Sequence, residues 1–114
     1  MLARANRLRK TADIARVYKR GVYGASHGVL SVKAAPSGRS QSRAVVVVSK
    51  KVDKRAVVRN RIRRRLSGEL ERRWATLRPG YDIVVNVHSD ISSLPAAGIQ
   101  EHLATALTRA GLNL

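Results

Sequence analysis

With 114 residues, the chain can form one domain with a hydrophobic core but not two, and its apolar share of 44% excludes wholesale disorder. Its 23 lysines and arginines face only seven acidic residues, and a net charge of +16 opposes a compact fold unless a polyanion, most commonly nucleic acid, neutralises it. Without cysteine there are no disulfides and no cysteine-ligated zinc. No apolar run approaches the ~20 residues that span a bilayer. We therefore predict a cytoplasmic protein with a single domain over residues 1–114 that does not engage a membrane.

The N-terminal third is predicted to contain a basic arm, a helix and extended chain. Residues 1–10 are rich in arginine, which indicates a basic arm that is flexible in part without its partner. A helix follows, with Thr11 at its N-cap and Gly21 just beyond its end. The apolar side chains of this helix recur on one face: Ile14, Val17 and Tyr18. Residues 22–34 show no helical period and are predicted to be extended.

The rest of the chain alternates between strands and helices. A strand over 43–49 is apolar on both faces, which predicts a central strand that is covered on both sides. A long helix is predicted over 56–77, ended by a Pro-Gly pair, then a strand over 81–87 and a helix over 96–109. The long helix has an apolar stripe spaced four apart: Val58, Ile62, Leu66 and Leu70. This order of elements predicts helices packed on one sheet in a single α+β domain.

Positive charge is concentrated in residues 50–73, which hold eleven of the 23 basic residues. The run 54–68 contains no acid, so no acidic side chain within it compensates the arginines. At 100° per residue, Arg61, Arg64 and Arg65 share one face of the predicted helix. Because a guanidinium can bind a phosphate through two hydrogen bonds, this face is predicted to bind RNA or DNA rather than to be an ordinary solvated face.

The few aromatic residues offer limited material for base stacking. Tyr18 and Tyr23 are the candidates, although either ring could instead serve the core with its hydroxyl in water. Catalytic patterns are missing: the acids do not cluster, and the histidines lie in separate elements without metal-ligand spacing. The histidines are His27, His88 and His102. We therefore predict no catalytic residue and no metal site in the protein, so any chemistry must come from a partner.

Three ordered blocks of sequence resemble the bacterial ribonuclease P protein family. The most specific is VSKKV at 48–52 followed by AVVRNRIRR at 56–64, where an Arg-Asn-Arg motif opens a basic helix just after a strand. The others are NRLRK at 6–10 with VYKRG at 17–21, and GYDIVV at 80–85. The resemblance runs in order through nearly the whole chain.

The resemblance implies a fold, a role and partners. Members of this family are α+β sandwiches of the order αβββαβα(α), with a left-handed β-α-β crossover in a four-stranded sheet. They assemble with a catalytic RNA that cleaves the 5′ leader from precursor tRNA, using Mg²⁺ that the RNA holds. The expected partners are therefore ribonuclease P RNA and precursor tRNA, with no small-molecule substrate. A ribosomal or other structural RNA-binding protein is the alternative, since it would share the charge and the fold class.

The residues expected to contact RNA form two sets. The resemblance and the helix-face pattern assign to the catalytic RNA Lys50, Lys51, Arg59, Asn60, Arg61, Arg63, Arg64 and Arg65. A cleft between the first helix and the sheet, together with the basic arm, is expected to bind the leader through Ile14, Tyr18, Ser31, Arg7, Arg9 and Lys10. Ile14 and Ser31 stand where the family usually has aromatic residues, and each lost stack is worth about 1–3 kcal/mol, so stacking on the leader is expected to be weaker here.

Overall fold

A computed structural model of the chain describes residues 2–26 and 28–114. The helices are α1 (Thr11–Arg20), α2 (Ala56–Arg73) and α3 (Ala96–Arg109), and the strands are β1 (Val22–Ser26), β2 (Leu30–Pro36), β3 (Arg43–Val48) and β4 (Tyr81–Val87). Short 3-10 turns span Arg4–Asn6 and Trp74–Thr76. None of the described helices is long and apolar enough to cross a bilayer.

The four strands form one sheet in the order β1-β2-β4-β3. β3 and β4 are parallel neighbours joined through α2, while the other pairs are antiparallel. The predicted α+β class, the element order αβββαβα and the β-α-β crossover are therefore confirmed. The left hand of that crossover stays a prediction from the resemblance.

The sheet separates two apolar layers of unequal size. Because side chains alternate along a strand, Ile83 and Val85 of β4 face the larger layer under α2 and α3, while Val84 faces α1. α1 packs across β2 and β4 through Val17, which is fully buried. Gly24 lets α3 lie directly on β1, since a β-carbon there would be 2.4 Å from the carbonyl oxygen of Ala106. We term the side of the sheet on which α1 packs the α1 face.

The predicted central position of β3 is wrong, because β3 is an edge strand. Its residues alternate between buried and half-buried, so only one of its faces is fully covered. The apolar side chains on the second face, Val45 and Val47, are half-buried beside α1. An apolar run therefore does not distinguish a central strand from an edge strand that a helix partly covers.

The outer edge of β3 is covered by the basic arm. The Leu8 amide donates to the Ala44 carbonyl at 2.9 Å, and the Asn6 side-chain amide donates to the Ser42 carbonyl at the same distance. Leu2 and Leu8 are both buried, one in each apolar layer. The described part of the arm is thus held to the domain and protects an edge that could otherwise pair with another chain. Met1 lies outside the described residues.

Two predicted helix ends also differ from the structure. Thr11 is the first residue of α1 rather than its N-cap, a position that Lys10 occupies without a side-chain hydrogen bond. α2 ends at Arg73 and tightens into a 3-10 turn, instead of continuing to Leu77. The last carbonyls of a helix lack partners within it, and a 3-10 turn satisfies some of them.

Candidate nucleic-acid interface

The inner stripe of α2 fixes which of its arginines reach solvent. Val58, Ile62, Leu66 and Leu70 are buried against the sheet as predicted, so the opposite face of the helix is outward. On that face Arg61 and Arg64 are exposed and form no hydrogen bond or ion pair with any described residue. Their guanidinium groups are free to bind phosphate.

Other arginines of α2 are occupied by the protein itself. Arg65 donates to the carbonyls of Ser92 at 3.1 Å and Leu94 at 3.0 Å, and so ties the loop before α3 to α2. Arg59 donates to the carbonyls of Asp53 and Lys54 at 3.0 and 2.8 Å. The expectation that Arg65 shares the outward face of Arg61 and Arg64 is therefore wrong for its side chain. A helical wheel does not show a loop that reaches back to meet the helix.

An acidic residue organises the start of α2. The Asp53 carboxylate accepts hydrogen bonds from the Arg55 backbone amide at 2.8 Å and from the Arg55 guanidinium at 3.1 and 2.9 Å. These bonds with Arg55, together with the nearby charge of Arg59, lower the pKa of Asp53 to about 2. Lys50 and Lys51 are exposed in the connector that Asp53 shapes. The connector thus has a fixed geometry beside the first turn of α2.

Opposite α2, the α1 face brings together the three cleft residues expected from the sequence. Tyr18, 39% exposed, donates from its hydroxyl to the Asn86 side chain at 2.6 Å. Ser31 is the register partner of Asn86 and is only 2% exposed, with its hydroxyl 2.8 Å from Nε2 of His88. Ile14 is half-buried and packs against the smaller apolar layer. Tyr18 is thus linked to the sheet through Asn86, beside Ser31, and Ile14 lies one turn earlier on α1.

A second tyrosine extends this face toward β1. Tyr23 is 57% exposed and is the register partner of Lys33, so both side chains lie on the same face of the sheet as Ser31. Lys33 in turn donates to the Tyr18 carbonyl at 2.8 Å. Tyr23 therefore lies on the α1 face and not in the core, and its role in base stacking stays a prediction.

A buried ion-pair network under α1 was not predicted. Asp82 is fully buried and accepts hydrogen bonds from Arg43 of β3 and Arg16 of α1, while Asp13 lies 3.5 Å from Arg43. The hydrogen bond to Asp82 raises the pKa of Arg43 above its ordinary value. In the sequence, the only sign of this network was Asp82, an acid within an apolar strand, and nothing there identified Arg16 and Arg43 as its partners.

The arm places two of its arginines near α2. Arg7 and Arg9 line a cleft whose other wall includes Asn60, Arg63 and Arg64. Asn60 accepts a hydrogen bond from the Arg63 guanidinium. Lys10, by contrast, is exposed at the start of α1. The structure thus divides the arm residues expected to bind the leader between two surfaces.

Within the described residues, no group of three histidine or acidic side chains could hold a metal ion. His88 contacts Ser31, His102 lies on α3, and His27 lies outside the described residues. The chemistry that these side chains support is the binding of polyanions through guanidinium, ammonium, amide and aromatic groups.

These features define a small, basic α+β protein with candidate surfaces for both structured and single-stranded nucleic acid. Comparison with known proteins agrees. The sequence profile of the family described as Ribonuclease P matches residues 2–111, and the chain belongs to this family. The ribonuclease P protein component of Beutenbergia cavernae is 34% identical over 112 residues, covering 98% of this chain and 93% of the relative. That of Pseudanabaena sp. is 40% identical over 97 residues, covering 83% and 81%.

Solved structures of the family share the fold. The ribonuclease P protein of Staphylococcus aureus superimposes with a TM-score of 0.84 at 26% identity, covering 97% of this chain and all of that one. The Thermotoga maritima protein gives a TM-score of 0.80 at 26% identity, covering 90% and 96%. The family predicted from the three sequence blocks is therefore confirmed.

Proposed function

We propose that the chain is the protein subunit of ribonuclease P and binds the catalytic RNA of that enzyme and the 5′ leader of precursor tRNA. The holoenzyme removes the leader, and the chemistry takes place on the RNA. The observation that carries the proposal is the pair of unpaired, exposed arginines on α2, Arg61 and Arg64, in a chain that belongs to the ribonuclease P family. The whole chain over 1–114 acts as one RNA-binding domain in the cytoplasm.

The surface for the catalytic RNA is built on α2 and its connector. Arg61 and Arg64 supply free guanidinium groups, and Lys50 and Lys51 add exposed ammonium groups at one end. Binding releases counterions from the RNA, so affinity falls steeply with salt. Arg59 and Arg65 support this surface by fixing the loops at its ends, although their spare N–H groups can still meet phosphate.

The surface for the leader is the α1 face. The leader lies between Ile14 and Tyr18 on one side and Ser31 on the sheet, and Lys10 adds positive charge at the start of α1. Tyr23 and Lys33 extend the face, and the ring of Tyr23 partly replaces the rings that are missing at positions 14 and 31. Mature tRNA lacks a leader, so this face distinguishes precursor from product.

Arg7 and Arg9 are better placed for the catalytic RNA than for the leader. Both line the cleft beside α2 rather than the floor around Ser31. We therefore assign them to the α2 surface. In this proposal the Mg²⁺ that phosphoryl chemistry on RNA requires is held by the RNA, as the resemblance to the family implies.

The test is cleavage of precursor tRNA at limiting Mg²⁺ by the catalytic RNA, with and without this protein. Cleavage that depends on the protein is the expected result. Arg61→Gln with Arg64→Gln should remove most of the stimulation, whereas Arg39→Gln, the same charge change in an exposed loop, should not. Tight RNA binding without stimulation, together with copurification with ribosomes, would instead indicate a structural RNA-binding protein.

A further inference from the structure

A second concave site lies outside the α1 face, between the basic arm, β3 and the middle of α2. Its volume is about 530 Å³, within the range of about 300–1,000 Å³ usual for small-ligand pockets. Residues of the arm and of β3 form its apolar floor: Leu2, Leu8, Ala44 and Val46. Its polar rim is formed by Arg7, Arg9, Asn60, Arg63, Arg64 and Ser67.

The charge around this cleft is entirely positive. Four arginines line it, and no acidic side chain is among the described residues that line it. Asn60 uses its oxygen to orient Arg63, which leaves its amide N–H groups as further donors. Such a cluster is favourable only with an anion between its members.

The cleft is held open by the fold. Arg7 donates from Nε to the Leu2 carbonyl at 2.9 Å, and the backbone of the arm is bonded to β3 through Leu8 and Ala44. A site that exists before its ligand arrives needs little reorganisation on binding. An apolar floor is of no use to a bare phosphate, whereas a nucleotide has both an anionic phosphate and a flat, largely apolar base.

We propose that this cleft takes one unpaired nucleotide of the catalytic RNA, with its base on the apolar floor and its phosphate among the arginines of the rim. This inference rests on the proposed function. Unpaired bases in RNA are commonly bound by stacking on aromatic rings or on guanidinium planes. No aromatic residue is among the described lining residues, so Arg63 and Arg64 provide the planes. The arm is therefore part of the RNA-docking surface.

The first experiment follows the backbone amides of the full-length, ¹⁵N-labelled protein by NMR. Titration with adenosine or uridine monophosphate should shift amides of residues 2–9, 44–46 and 60–67, and inorganic phosphate should shift only those nearest the arginines. Identical shifts with phosphate and with nucleotide would overturn the proposal, because the base would then not enter the cleft.

The second experiment fills the cleft without changing its charge. Ser67→Trp places a ring in the wall formed by α2, and Ala97→Trp is the matched control on an exposed position of α3. Chemical probing of the catalytic RNA should show a nucleotide that is protected by the wild-type protein and by Ala97→Trp but reactive with Ser67→Trp. Affinity for the RNA should fall about tenfold with Ser67→Trp alone.

A second variant covers the case in which Ser67→Trp does not fold, as judged by circular dichroism. Arg9→Gln leaves the floor intact at an exposed position and should also restore reactivity of that nucleotide. Unchanged protection with both variants would overturn the inference while leaving the proposed function intact. A wild-type chain that does not bind the RNA at all would contradict the proposed function itself.

Discussion

The guanidinium of Arg43 on β3 binds the fully buried carboxylate of Asp82 on β4 through two parallel hydrogen bonds, of 2.9 and 2.7 Å. Arg16 of α1 bonds to the same carboxylate at 2.6 Å and to the Pro36 carbonyl at 2.8 Å. One acidic group therefore joins α1 to two strands, and it sets how α1 lies over the sheet at the proposed leader surface.

Asp82→Asn should lower the free energy of unfolding by about 3–5 kcal/mol, because Arg16 loses its counter-charge and Arg43 keeps only the more distant Asp13. Urea denaturation with an RNA-free sample measures the loss. Asp90→Asn makes the same charge change at an exposed position and should cost well under half as much. Equal losses in the two variants would show that the buried network stabilises the fold no more than an exposed acid does.

Arg61→Gln combined with Arg64→Gln should reduce the slope of log affinity against log salt by about 2, since each phosphate contact contributes roughly one unit. The melting temperature should not change, because neither side chain bonds to a described residue. Arg65→Gln, in contrast, should lower the melting temperature, because two loop carbonyls lose their hydrogen-bond donor. A normal slope in the double variant would contradict the assignment of the outward face of α2.

Ile14→Phe should strengthen binding of precursor tRNA by roughly tenfold, because a base stack is worth about 1–3 kcal/mol. Ile14 is only half-buried on α1, so a ring there can face the leader at the proposed surface. Ile14→Leu serves as the control for packing. The measurement is the ratio of affinities for precursor and mature tRNA. If this ratio is the same for Ile14→Phe and Ile14→Leu, the leader binds elsewhere.

Tyr23→Ala should weaken binding of precursor tRNA severalfold and leave mature tRNA unaffected, since stacking of one base on its ring would be lost. Val22 provides a matched control: it is 58% exposed next to Tyr23, and its side chain lies on the opposite face of the strand. Val22→Ala should therefore have no effect on either tRNA. If both variants weaken binding equally, the loss comes from β1 itself and not from the Tyr23 ring.

Asp53 should make the start of α2 sensitive to acid. Its pKa is lowered from 3.8 to about 2 in the folded protein, so its contribution to stability is complete above pH 3.8 and is lost as the pH falls through about 2. Asp53→Asn should consequently melt at a lower temperature than the wild type at pH 6, and the difference should shrink as the pH approaches 2. A difference in melting temperature that is independent of pH would show that the shape of the Asp53 side chain matters rather than its charge.

The elements that sequence reasoning placed best are those whose pattern depends on local spacing. The residues of β4 and α3 were predicted with their observed bounds, because a Pro-Gly pair precedes one and an unbroken helical period defines the other. The inner stripe of α2 was likewise correct. Local patterns of this kind depend on neighbours along the chain, which a sequence displays directly.

The errors concern partners that are distant in the chain. The valines of β3 indicated burial, but they did not indicate that the arm would take the place of a neighbouring strand. Asn6 of the arm bonds to Ser42, which is 36 residues later in the chain. The direction of Arg65 depends on Ser92 and Leu94, and the role of Asp82 depends on Arg16 and Arg43. In each case an ionic or polar side chain has several possible partners, and only the packed fold selects among them.

The acidic residues of this chain are mostly engaged within the protein. Asp13, Asp53, Glu69 and Asp82 each lie beside an arginine, and with 23 basic residues against seven acids the outer surface is predominantly cationic. Dissolved anions that gather around those cations relieve their repulsion, so sulfate or phosphate should make the isolated protein harder to unfold. The same salts compete with RNA for the protein. Conditions that keep the free subunit folded are therefore those that oppose its assembly, and purification and reconstitution call for opposite ionic strengths.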